Sequence, residues 1–263
     1  MIYVCLPSRD EAETIGLVLW KIRKAFEQLR REYQLLVAND GSSDHTADVL
    51  ETYADVVPMT IETHGAPRGY ARTAEGLLRR AVELSDRHKR DGAILMHADF
   101  SHDPEFISEL VRRLDSGADL VVGEPKIEPG WQRRYRWARK GAGFLMRRSL
   151  NVAGVRDPTS GFVGFRLATL RAVFQRPSPV LESEGWAANA ELVGRAAVHA
   201  RRVDTASFTE RHNLKSRPSR VAPWPALLSI WRARSVVRRA IAAEVPPPRG
   251  SAKGGRRRMK EGV

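Results

Sequence analysis

Five short apolar runs, each separated from the next by a stretch with helical spacing or a compact turn, constrain this chain more than any other feature. The runs cover residues 2–6, 34–38, 56–62, 93–96 and 120–122, and the helical stretches between them cover 11–32, 44–53, 68–88 and 105–114. In the third helical stretch Ala71, Ala74, Leu77, Leu78 and Ala81 share one face. Runs that are apolar at successive positions suit strands covered on both sides, and alternation with helices suits parallel connections. The expectation is therefore an α/β fold, a mainly parallel sheet with helices on both faces. No internal repeat interrupts it.

Ligands of such sheets bind at the carboxyl ends of the strands, and this is where the polar residues fall. The first strand runs out in LPSRDE at residues 6–11, the second in NDGSSDHT at 39–46 and the fourth in HADFSHDP at 97–104. A single acidic turn after a strand is usually a helix cap, and Ser43, Asp44 and Asp103 are candidates for that role. Three acid-bearing ends on one sheet edge also suit a ribose, a base edge and a metal-bound diphosphate. Asp40 and Asp99 are expected on exposed strand ends rather than in the core.

Charge divides the chain. Residues 1–210 carry 30 Lys/Arg against 29 Asp/Glu, a net of +1, whereas residues 211–263 carry 14 against 2, a net of +12. The basic end suits a polyanion, either nucleic acid or an anionic membrane, or is a solvated extension. Residues 246–263, rich in Pro, Gly, Lys and Arg, are expected to lack fixed structure. A lone cysteine, Cys5, rules out an internal disulfide framework and suits a reducing compartment. No apolar run reaches the eighteen residues of a membrane span, and residues 1–11 give no expectation of a secretory leader.

The strand-end sequences carry a resemblance. NDGSSDHT at 39–46 resembles the Asn-Asp-Gly-Ser-x-Asp-Gly-Thr element of family-two glycosyltransferases. PSRDE at 7–11 is similar to their Pro-x-Tyr-Asn-Glu start, and GAPRGYA at 65–71 to their Gly-x-Gly-x-Ala helix start. MHADFSHDP at 96–104 and DPTSGF at 157–162 resemble elements of the dolichol- and polyprenyl-phosphate mannose synthases, with Glu191 where they carry a helix glutamate. Residues 211–216 are similar to their Arg-x-x-Gly-x-Ser segment, with Leu214 in place of the glycine.

The resemblance implies the GT-A (Rossmann-like) fold and a hexosyltransferase. Such an enzyme moves a sugar, mannose above all, from a nucleotide-sugar donor to a polyprenyl or dolichyl phosphate, with inversion. It implies nucleotide contacts from Pro7, Glu11, Asp40 and Asp99, and a catalytic set of Asp99, Asp157 and Glu191. Carboxylates suit base and ribose recognition because they are left unpaired by the wrong partner. A divalent cation, Mg²⁺ or Mn²⁺, is implied at the Asp-x-Asp position, where oxygen ligands suit a hard cation. Here Asp99 keeps the second aspartate and His97 replaces the first. Three readings stand for His97: a ligand favouring Mn²⁺, a ribose contact beside Asp99 as the metal carboxylate, or the mark of a weakened enzyme that only binds nucleotide-sugar. For Glu191 two readings stand, a contact to sugar hydroxyls or an ordinary helix carboxylate. Arg9 and Asp10 depart from the usual Tyr-Asn pair, and Lys126 replaces a phosphate-binding arginine.

At the acceptor end the resemblance implies phosphate contacts from Lys140, Arg211 and Ser216. Residues 131–148 hold seven Lys/Arg and no acid, interleaved with Trp131, Tyr135, Trp137 and Phe144. That pattern suits either a solvated helix or one lying on anionic lipid with aromatics at headgroup depth. In residues 221–243 Arg234 falls among the apolar positions, which predicts a poor amphipathic helix, better described as an Arg/Trp-rich helical collar that packs partly on the body and partly on a membrane surface. The expected organisation is a glycosyltransferase domain over 1–220, the collar over 221–245 and a basic tail over 246–263. The expected partners are GDP-mannose, a lipid phosphate and an anionic membrane surface rather than nucleic acid. The expected location is the cytoplasm, peripherally on a membrane; transfer to a saccharide or small molecule is the alternative.

Overall fold

The computed structural model describes residues 1–126, 133–150, 152–210 and 223–245. Seven strands form one sheet in the order β3-β2-β1-β4-β6-β5-β7. They are β1 (Ile2–Ser8), β2 (Tyr33–Asp40), β3 (Met59–His64), β4 (Gly92–Leu95), β5 (Leu120–Lys126), β6 (Val163–Arg166) and β7 (Val203–Thr209). All neighbours pair in parallel except β6, which runs antiparallel to both β4 and β5. The α/β, GT-A-like expectation therefore holds, with one reversed strand inside the sheet.

Helices cover both faces: α1 (Ala12–Leu29), α2 (Thr46–Ala54), α3 (Tyr70–Leu84), α4 (Ile107–Asp115), α5 (Arg133–Leu150), α6 (Leu167–Val173), α7 (Gly185–His199) and α8 (Pro223–Ala242). Side chains alternate across a strand, so Tyr3 and Cys5 of β1 pack towards α3 while Ile2, Val4 and Leu6 pack towards α1 and α4. Burial on both sides is why β1 reads as a continuous apolar run. Arg30 ends α1 with φ 49°, its N–H returning to the Phe26 carbonyl, a left-handed close of the kind that commonly terminates helices.

α8 occupies the stretch expected to form the collar. It is one regular helix of 20 residues. Its Ile230 and Val237 are buried with Ala142 and Met146 of α5 and Trp186 and Ala190 of α7. The interrupting Arg234 sits over α5, where its Nε donates to Ser149 Oγ at 3.1 Å. A helical wheel counts that arginine as a break in the stripe, whereas a hydroxyl on the neighbouring helix accommodates it. Below α8, Glu244 pairs with Arg195 of α7 at 2.6 Å and with His199 at 3.2 Å, which fastens the C-terminal end of α8 to the body. Residues 246–263 lie outside the described residues.

Candidate active site

The register Ile2↔Tyr33 through Ser8↔Asn39 brings the ends of β1 and β2 side by side, and Met96 N–H donates to the Cys5 carbonyl at 3.2 Å beyond β4. The turn after β1 is stitched to the turn after β2. Asp10, at φ 49°, accepts from Ser43 N–H at 2.7 Å, and its own N–H donates to Ser42 Oγ at 2.9 Å. Glu11 N–H donates to Thr46 Oγ1 at 2.8 Å, and the Glu11 carboxylate accepts from Thr14 Oγ1 at 2.9 Å. Asp44 accepts from Ala12 N–H at 3.1 Å and Thr46 N–H at 3.0 Å, and Asp103 from Glu105 N–H at 3.1 Å. Asp103 is therefore a helix cap, while Asp44, one residue before the cap position of α2, takes the first N–H of both α1 and α2. Pro7 is half-buried at the same edge.

Asp40 is only 5% exposed, contrary to the expectation of an open strand end. Its Oδ1 accepts from Arg68 N–H at 2.8 Å and meets His64 Nδ1 at 2.8 Å, and its Oδ2 accepts from Gly69 N–H at 3.1 Å. Burial alone would raise its pKa, but the bonds from Arg68 N–H, His64 and Gly69 N–H outweigh it and hold the carboxyl below the usual 3.8; hydrogen bonds to the charged form act in that direction. Asp40 thereby fixes the backbone leading into α3, where Gly69 has φ 94° and its missing Cβ would stand 2.8 Å from Glu184 Oε1. That grip delays the start of α3 to Tyr70.

After β4, Asp99 accepts from Ser101 N–H at 3.0 Å and from Ser101 Oγ, while Phe100 takes φ 59° to bury its ring. His97 N–H donates to His102 Nδ1 at 3.1 Å. The two imidazoles stack at 4.5 Å, and Tyr70 meets the His97 ring edge-on at 5.5 Å, both of them favoured ring arrangements. A Cβ on Gly161, itself at φ 75°, would stand 2.7 Å from His97 Nε2. His97 is thus held in a packed stack, with one ring nitrogen against backbone. Among the described residues no three His, Cys, Asp or Glu side chains gather closely enough to hold a metal ion by themselves. The donor set fits a divalent cation only if Asp99 supplies the carboxylate and the ligand's own phosphate oxygens supply most of the rest. His97 is half-buried, and its Nε2 lies beside Gly161 in the space that a Cβ there would fill.

The antiparallel pairing Leu95↔Val163 brings residues 157–162 to this same edge. Asp157 Oδ1 accepts from Thr159 N–H at 2.9 Å and Thr159 Oγ1 at 2.6 Å. Asp157 Oδ2 pairs with Arg139 at 3.2 Å. Arg139 is 2% exposed, lies 3.6 Å from Glu210 and stacks its guanidinium over Trp186, where the ring face attracts a cation. Lys140, one residue on, faces outward on α5. The same outer face shows Trp137, 66% exposed, and Phe144, 65% exposed. Arg211 and Ser216 lie outside the described residues.

Glu191 is fully buried, and its oxygens accept from Glu182 N–H at 3.1 Å, Ser183 N–H at 3.0 Å and the Arg195 guanidinium at 2.9 Å. Its carboxylate is filled by protein donors and holds the 182–184 loop, an arrangement that suits the second of its two expected readings, a helix carboxylate. Three residues that sequence reasoning passed over touch the candidate site residues or their neighbours: Arg139 meets Asp157, Tyr70 meets His97, and Asn189 meets Thr159. Arg139 stood unmarked among seven cations, although the helical phase separates it from Lys140. Tyr70 lay inside a quoted motif at a position the motif leaves free, and Asn189 stands two residues before Glu191.

The model of the family described as Glycosyl transferase family 2 matches residues 3–176. The chain belongs to this family. This glycosyltransferase is 29% identical over 256 residues to a polyprenol monophosphomannose synthase of Mycolicibacterium smegmatis, covering 89% of the present chain and 91% of that one. It is 25% identical over 179 residues to a dolichol-phosphate mannosyltransferase of Pyrococcus furiosus, covering 66% of this chain and 48% of that one, about half the length of that relative. Among solved structures, glucosyl-3-phosphoglycerate synthase from Mycobacterium tuberculosis, in complex with Mn²⁺, UDP-glucose and phosphoglyceric acid, shares the fold at a TM-score of 0.58 and 18% identity. That match covers 94% of this chain and 80% of the other. No helix of this glycosyltransferase is long and apolar enough, among the described residues, to cross a membrane.

Proposed function

We propose that this glycosyltransferase moves mannose from GDP-mannose to a polyprenyl phosphate, inverting the anomeric centre. The observation that carries the reading is the likeness to a polyprenol monophosphomannose synthase along nearly the whole of both chains. The nucleotide would lie against Pro7, Glu11 and the backbone that Asp40 positions. A divalent cation would be held by Asp99 and the donor's diphosphate. When bound, such a cation neutralises the diphosphate and makes it a better leaving group. An oxygen of the lipid phosphate attacks the anomeric carbon as the bond to the diphosphate breaks, and the nucleoside diphosphate leaves with the electron pair. A phosphate monoester is largely ionised at neutral pH, so the step requires cations to hold the acceptor rather than a strong base. Lys140, Arg211 and Ser216 are the proposed phosphate contacts, and Asp157, held by Arg139, orients the acceptor or sugar.

Incubation with radiolabelled GDP-mannose and a polyprenyl phosphate in detergent tests the proposal, with UDP-sugars and soluble acceptors in parallel. Organic-phase label that disappears with a chelator supports it. Transfer to a saccharide or small molecule alone would replace the acceptor class, and transfer from UDP-sugars alone would replace the donor.

His97 in this reading is a wall of the site rather than a metal ligand. The expected result for His97→Ala is reduced turnover from loss of the stack on His102, with the ratio of Mn²⁺- to Mg²⁺-supported rates unchanged. A ratio that moves severalfold would make His97 a ligand.

Membrane association belongs to the same proposal. Trp137 and Phe144 on α5 and Leu228 and Trp231 on α8 are exposed, with Lys140, Arg147, Arg148, Arg238 and Arg239 exposed on those helices. The tail beyond Val245 adds six Lys/Arg against one Glu. Each cation near an anionic surface contributes about 1 kcal/mol, within a Debye length of about 8 Å at physiological salt. Binding to anionic liposomes is expected to fall steeply as salt rises and to weaken when residues 246–263 are removed. Salt-independent sedimentation would assign those charges another purpose.

A further inference from the structure

Tyr70 opens α3 directly after the Arg68–Gly69 backbone that Asp40 grips. Its hydroxyl donates to Asn189 Oδ1 at 2.6 Å while its ring edge meets His97. Asn189 is buried in α7, and its Nδ2 donates to the Thr159 carbonyl at 3.2 Å. The two bonds together fix how the amide is turned, since its oxygen can only accept and its nitrogen only donate. Thr159 in turn donates to Asp157 and receives a bond from Arg139. Gly161 closes the arrangement, since a Cβ there would stand 2.7 Å from both Asn189 Nδ2 and His97 Nε2. A continuous path therefore runs from Asp40, through residues 68–70 and Asn189, to Thr159 and Asp157. It joins the nucleotide end of the site to the acceptor end. The Tyr70–Asn189 and Asn189–Thr159 links belong to no helix or strand ladder. An apolar pair would fill the same space without the desolvation penalty, whereas a buried hydroxyl–amide pair sets direction and distance as well.

We propose that Tyr70 and Asn189 are positioning residues, a strut that sets the separation and alignment of the two ends so that the donor's anomeric carbon meets the acceptor oxygen in line. The inference rests on the glycosyl-transfer reading above.

Tyr70→Phe tests it, because the ring stays against His97 and only the bond to Asn189 is lost. The expected result is an unchanged donor KM and a kcat for transfer lowered about ten- to hundredfold, the scale of small misplacements of reacting groups. Donor hydrolysis by water, which requires no aligned acceptor end, is expected to rise relative to transfer. Asn189→Ser should show the same split, and the double variant should lose no more than the worse single one. A second readout is independent of turnover. Whichever of GDP and UDP raises the Tm should slow amide exchange at both 66–71 and 157–161 in the native protein, and only at 66–71 in Tyr70→Phe. A native kcat in Tyr70→Phe, additive losses, or equal protection of 157–161 in both proteins would overturn the strut. Absence of any sugar transfer by the native enzyme would overturn the functional reading instead, and the exchange result would still decide the strut.

Discussion

Asp40→Ala is expected to lower the stability of this glycosyltransferase by about 3 kcal/mol and to remove nucleotide binding along with it. The carboxylate is the shared acceptor for His64, Arg68 N–H and Gly69 N–H. Its removal strands these donors in a site where water enters poorly, at about 1–3 kcal/mol for each one left without a partner. For a chain of this size that corresponds to a Tm lower by about 6 °C. Nucleotide binding goes because the residues leading into α3 lose their anchor, so the loss appears in ligand-induced thermal shift as well as in turnover. The pH dependence has a definite sign. The folded carboxyl titrates below its usual 3.8, so its contribution is fully present above that value and is lost as pH falls through the lower folded pKa. The Tm gap between native protein and Asp40→Asn should therefore be widest above about pH 4 and shrink below it. A gap that grows on acidification would contradict the assigned bonds.

Removal of residues 223–263 is expected to abolish cooperative folding, whereas removal of residues 246–263 should leave the Tm nearly unchanged. The longer cut takes Ile230 and Val237 out of the cluster shared with α5 and α7, at about 1.5–3 kcal/mol for each side chain. It also takes Glu244 from Arg195, which keeps Glu191 as a partner, and it uncovers the faces of α5 and α7 on which α8 packs. Together these losses reach into the margin of about 5–15 kcal/mol that a domain possesses. Calorimetry of the two truncations checks this. A cooperative transition at the native temperature in the longer one would make α8 an appendage after all.

Much of the first half of the fold was legible because strands buried on both faces announce themselves as apolar runs. The acidic turns after β1, β2 and β4 were legible as neighbours at one edge of the sheet, since parallel strands end on the same side. The carboxylates were not legible as individuals. Asp40 and Glu191 are matched by backbone N–H groups from loops distant from the local pattern, which leave no trace in it, so an anchoring acid and a ligand-binding acid look alike. Arg139 and Lys140 are neighbours in sequence and opposites in space, and only the phase of α5 against α7 and α8 decides which one turns inward. β6 was missed as a strand for a different reason. It spans only Val163–Arg166, too short to carry a period, and a glycine sits inside it.

That small strand carries an obligation for the chain's synthesis. β5 and β7 pair with each other but join the remaining sheet only through β6, and β4 has β6 as its outer neighbour. Until residues 163–166 have emerged from the ribosome, the nascent chain presents β4, an apolar GAIL segment, as an open edge able to recruit another chain. The half-made protein thus carries an unpaired apolar edge while the long stretch from the end of β4 to the start of β6 is still being added. Ribosomes extend a chain slowly enough that this takes seconds, ample time for an apolar edge to find a partner. A weaker β6 would lengthen that window, and its damage would appear first as lower soluble yield rather than as slower sugar transfer.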